Sequence, residues 1–146
     1  MNLYDEELPH EPEGERRAGY GEYSLRFGPM IGAKKIGMTI YELEAGQRIC
    51  PYHTEIGNEE WLIVIDGEPT LHTPEGEQKL ARGDVAVFPE GPEGAHTVSG
   101  PGRVVMMSTK IDPSASIYPD SNKIGIWPPG KLFRLDDAVD YFDGED

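Results

Sequence analysis

The sequence predicts an all-β domain, a barrel or sandwich of short strands, and three observations predict it. Glycine and proline, 18 and 13 of 146 residues, are spread along the whole chain and interrupt it at short intervals. The apolar runs between them are brief, which suits strands better than helices. No internal repeat or low-complexity tract divides the chain, and its length fits one domain with its own core.

The elements follow in order. Residues 1–20 are acidic, show no apolar period, and are expected to form an extended arm that either stays disordered or covers an edge strand of this barrel or a neighbour's. Residues 21–127 form the barrel. Its strands are expected at 23–27, 36–43, 61–66, 70–73, 85–88, 96–98, 104–110, 116–118 and 123–127, most of them bounded by Gly, Pro or acidic clusters. Residues 71–80 read as a hairpin, with Pro74 and Gly76 placed where a turn needs them. Residues 128–146 read as a C-terminal wrap. A short helix is expected within 135–142, where an Asp serves as N-cap before a small amphipathic turn.

A net charge of −14 argues against nucleic acid and anionic membrane surfaces as partners. Cys50 is the single cysteine, so no intramolecular disulfide forms and a reducing compartment is expected. The chain has no apolar run of membrane-spanning length and no basic-then-apolar start, so the cytoplasm is the expected location.

The stretch that carries chemistry runs from Gly46 to His96. On a strand, residues two apart share a face, so His53 and Glu55 are expected to project together. Glu60 opens the following strand beyond Gly57-Asn58, and a hairpin there would bring it close to them. His96 follows Gly83-Asp84 and is the fourth candidate. Imidazole and carboxylate in this ratio suit a borderline divalent ion such as Mn, Fe, Ni or Zn. The competing reading is surface glutamates and two histidines at strand ends.

Two segments resemble the cupin family. Gly46-Gln47-Arg48-Ile49-Cys50-Pro51-Tyr52-His53-Thr54-Glu55, then Glu60 and Gly67, is similar to its first motif. Gly83-Asp84-Val85-Ala86-Val87-Phe88-Pro89-Glu90-Gly91, then His96, is similar to its second. Together the motifs span 35–110. The resemblance implies a double-stranded β-helix, a jelly-roll-like barrel, with a metal held inside by His53, Glu60 and His96. Glu55 stands where the family has a second histidine. There is also one extra residue between Gly46 and His53, two more than usual between Gly91 and His96, and Gly at position 100 in place of a frequent Asn.

Three arrangements stay open at Glu55. It joins a His2Glu2 set; it swings away and leaves a two-His-one-carboxylate triad; or, without metal, Glu55 and Glu60 repel until one holds a proton. Alternation turns Cys50, Tyr52 and Trp61 away from the inward-facing residues. His72 is expected to be a surface or half-buried histidine, the competing reading being that it lines the barrel, and His10 lies in the arm without an evident partner.

The resemblance therefore implies a barrel that binds a divalent metal and a small molecule, as a metal-dependent dioxygenase or isomerase. The alternative is a non-catalytic binder with a degenerate or empty metal site. A homodimer is implied by the same resemblance.

Overall fold

The computed structural model describes residues 1–5, 7–8, 18–21 and 23–145. His10 and half of the acidic arm lie outside the described residues. Twelve strands are present among the described residues: β1 (Tyr23–Arg26), β2 (Ile36–Leu43), β3 (Thr54–Ile56), β4 (Glu60–Gly67), β5 (Thr70–Thr73), β6 (Gly76–Lys79), β7 (Val85–Phe88), β8 (Thr97–Ser99), β9 (Gly102–Thr109), β10 (Ser114–Tyr118), β11 (Lys123–Trp127) and β12 (Lys131–Arg134). They form three antiparallel sheets, in the orders β1-β2-β9-β4-β7, β12-β11-β10-β3 and β6-β5-β8.

The five-stranded sheet is apolar on both faces, and β4 shows why. Its Trp61-Leu62-Ile63-Val64-Ile65 run does not alternate, because each face meets a different core. Leu62 and Val64 face the barrel interior with Leu43, Leu71, Phe88 and Val104. Ile65 faces outward with Phe27, Ile40 and Val105, and Leu3 and Leu8 of the N-terminal segment pack over that outer cluster. Arg103 ties this segment down, its Nη1 donating to the carbonyls of Leu3 and Tyr4 at 3.1 Å each.

The hairpin at 71–80 forms as β5–β6, with Thr73 paired to Gly76. Two other expectations are corrected. β3 does not pair with β4 across Gly57-Asn58; it pairs with β10 and so lies in the other sheet. The expected C-terminal helix is only a 3-10 turn at Leu135–Asp137, and a fourth strand, β12, precedes it. So short a helix needs an apolar face to pack, and Val139, Tyr141 and Phe142 are exposed. Asp136, Asp137, Asp140 and Asp143 add poor helix formers to the same segment.

Candidate metal centre

The site is assembled by the loop between β7 and β8 docking on the chain around β3. His53 and His96 exchange backbone hydrogen bonds, at 3.1 Å from the His53 amide and 2.8 Å from the His96 amide. The Gly91 amide donates to the Glu55 carbonyl at 2.8 Å, and the Thr54 hydroxyl donates to the Gly91 carbonyl. This pairing places the two imidazoles side by side, with ring centroids 4.9 Å apart. Glu60 reaches the same point from the first residue of β4 on the opposing sheet.

The three side chains converge. His53 Nε2 lies 3.6 Å and His96 Nε2 3.4 Å from Glu60 Oε2. One ligand atom from each of His53, Glu60 and His96 falls within 4.8 Å of the others. Glu55 is outside this trio but adjacent, with Oε1 3.4 Å from His53 Nε2. The Ser116 hydroxyl donates to Glu55 Oε1 at 2.7 Å, and Trp127 Nε1–H donates to Ser116 Oγ at 3.0 Å.

Both imidazoles present Nε2 to the cluster because each Nδ1 is engaged on its other side. His96 Nδ1–H donates to the Gly94 carbonyl at 2.9 Å, and His53 Nδ1–H to the Pro51 carbonyl at 3.0 Å. Backbone anchoring of this kind selects the tautomer whose Nε2 lone pair is free to bind a metal. The extra residues before His96 build this anchor as a 3-10 turn, Pro92–Gly94. A side chain at Gly94 would not fit, since a Cβ there would lie 1.7 Å from the Pro89 carbonyl oxygen.

Burial sharpens the electrostatics. His96 is 1% exposed and stacks on Phe88 with centroids 3.6 Å apart. That burial, assisted by the charge of His53 and opposed by the Gly94 hydrogen bond and Glu60, depresses the His96 pKa to about 4. Burial also works against a charge on His53, but Cys50, Glu55 and Glu60 outweigh it and hold its pKa well above the usual imidazole range. Glu60 Oε2 and His96 Nε2 are buried and have no hydrogen-bond partner. Two converging lone pairs left in this state are costly unless a cation satisfies both, so the residues present fit a divalent metal.

A cavity of about 170 Å³ opens on the cluster, lined by Tyr41, Ile49, Cys50, Val98 and Met106 beside the three candidate ligands. Cys50 corrects an expectation: it faces inward, with Sγ 3.6 Å from His53 Nδ1. Residues 49 and 50 form a bend and not a strand, so alternation does not apply to them. Trp61 points to the outer face, as alternation from Glu60 requires, and is 41% exposed. His72 lies away from the cluster, against Tyr52 and 3.5 Å from Glu77. Ser116, Trp127 and Tyr118, whose ring stacks on His53 at 5.8 Å, were not singled out from the sequence. Their only signal was a polar residue at alternate positions of one strand, 116 and 118.

Antiparallel sheets closing around histidines and a carboxylate define a double-stranded β-helix protein. Residues 39–109 match the cupin domain family, and the chain belongs to the cupin superfamily. Two solved structures are similar over nearly the whole chain. A proposed sugar phosphate isomerase from Acidithiobacillus ferrooxidans shares 22% identity at a TM-score of 0.80, covering 94% of this chain and 91% of that one. A cupin-superfamily sugar phosphate isomerase from Silicibacter pomeroyi shares 21% identity at 0.77, covering 98% and 97%. A polyketide cyclase from Streptomyces resistomycificus shares 20% at 0.56, covering 78% and 81%. No curated protein matches the sequence.

Proposed function

We propose that this chain binds one divalent metal ion through His53, Glu60 and His96 and acts on a small molecule in the adjoining cavity, as a metal-dependent isomerase. The observation that carries the metal is the pair of orphaned buried atoms, Glu60 Oε2 and His96 Nε2, facing each other at 3.4 Å. A divalent ion held there supplies a Lewis acid that polarises a carbonyl or hydroxyl oxygen. His53 and His96 hold their rings in place through Pro51 and Gly94, and Glu60 offsets part of the positive charge. Glu55 is held aside by Ser116 and tunes His53 instead of completing the ligand set. Ile49, Val98 and Met106 give the cavity apolar walls beside the three ligands.

Isomerisation is preferred to oxygenation because two structures similar over almost the whole chain are described as sugar phosphate isomerases. A binder without turnover is the second reading, favoured by the glutamate at position 55 in place of the family's histidine. The homodimer that the family resemblance implies would cover Trp61, Val85 and Val87, exposed on the outer sheet face.

The test is elemental analysis of untagged protein purified without chelator. Near-stoichiometric Mn, Fe, Ni or Zn is expected, lost in Glu60→Gln and His96→Gln and retained in Glu55→Gln. Parent protein that carries no metal and takes up none, or variants that keep the parent's content, would overturn the assignment.

A further inference from the structure

We propose that the outer end of the barrel cavity is an oxyanion site, built by Arg26, Lys110, Ser108 and Thr39, which grips the phosphate of a phosphorylated substrate. The inference deepens the isomerase reading and rests on it for the identity of the reacting end. The site itself is argued from geometry and charge.

A second cavity, of about 340 Å³, adjoins the one at the metal centre; Tyr41, Glu60 and Met106 line both. Strand register places its parts. Ser108 on β9 lies opposite Glu60 on β4 on one side and opposite Gly37 on β2 on the other. Neighbouring strands are about 5 Å apart, so this row crosses from Glu60 to the β2 edge in about 10 Å. Arg26 on β1 faces Thr39, and Lys110 lies just beyond the end of β9, its amide bonded to the Lys35 carbonyl at 3.0 Å. Gly37 keeps the row open, because a Cβ there would lie 2.9 Å from Ser108 Oγ.

The charge pattern points to an anion. The chain has 27 acidic and 13 basic residues, yet both charged side chains at this mouth are cationic, and Glu60 is the one acid among the lining residues described. Among the described residues, neither the Arg26 nor the Lys110 side chain has an ion pair or hydrogen bond. Two unneutralised cations and two hydroxyl donors match a dianionic phosphate better than a carboxylate, which one cation balances. A phosphate held there directs the rest of a small sugar inward along Ser108 toward Glu60. The site thus selects both the substrate class and its orientation.

The experiment is an NMR titration of metal-stripped full chain with inorganic phosphate, following backbone amides. Phosphate is expected to shift the Arg26, Thr39, Ser108 and Lys110 amides. The Arg26→Gln, Lys110→Gln double variant is expected to bind at least tenfold more weakly with unchanged metal uptake. Lys131→Gln, Arg134→Gln removes the same charge from the exposed edge strand β12 and should bind as the parent does. Glu60→Gln should lose metal yet keep phosphate, so failure of the metal assignment and failure of this site give different results. The proposal is overturned if both double variants weaken binding equally, if the mouth variant stays within twofold of the parent, or if acetate binds as tightly as phosphate.

Discussion

The Ser116 hydroxyl donates to the same Glu55 oxygen, Oε1, that stands 3.4 Å from His53 Nε2. Ser116 is opposite Glu55 in the β10–β3 ladder, is buried, and receives Trp127 Nε1–H from the next strand. The indole donates to Ser116 and Ser116 to Glu55, while His53 faces the same oxygen from the other side, and together they fix a carboxylate that the three-residue cluster leaves out.

Ser116→Ala breaks that chain in two places, leaving Trp127 Nε1 without its acceptor and Glu55 Oε1 with His53 alone. We expect a loss of about 1–3 kcal/mol in denaturant unfolding, with a change in Trp127 fluorescence. Metal stoichiometry should survive, because no ligand has changed.

Metal binding should release protons. The raised pKa of His53 means the metal-free fold keeps its imidazole charged at neutral pH, and an ion must displace that proton to reach Nε2. Titrating a divalent salt into weakly buffered protein should liberate about one proton per ion, and affinity should fall about tenfold per unit as pH drops. His53→Gln should release none. A parent titration without pH change would contradict this.

His96 makes the metal-free fold acid-sensitive. Its pKa falls from the ordinary 6.5 to about 4 on folding. Between those values the unfolded chain binds a proton that the folded chain refuses, so the contribution is complete above pH 6.5 and is lost as pH falls toward 4. The effect is on the order of 3 kcal/mol. Chelated His96→Gln should show a correspondingly shallower decline in unfolding free energy over that window than the chelated parent.

Gly94→Ala should remove metal without touching a ligand. The added Cβ collides with the Pro89 carbonyl, so the turn must open and the Gly94 carbonyl leaves His96 Nδ1. A cost of about 1–3 kcal/mol is expected, together with a clear loss of metal uptake relative to the parent. Uptake equal to the parent's would mean the turn does not position His96.

Much of the fold and part of the site were legible in the chain itself. Gly and Pro spacing exposed the short strands, and local pairing rules gave the β5–β6 hairpin, because turn chemistry acts over a few residues. Motif spacing led to His53, Glu60 and His96. The sequence could not tell that β3 pairs with β10, so the partnership of Glu55 with Ser116 was invisible, as was the inward turn of Cys50. Nor could it reveal that Val139, Tyr141 and Phe142 stay exposed among the described residues, where Leu135–Asp137 stops at one turn. Residue types and short-range spacing determine which side chains are available to a site. Which of them meet, and whether an apolar stretch finds a partner, depends on contacts between segments far apart in the chain, as His53 is from His96 and Glu55 from Ser116, and only the closed barrel decides those.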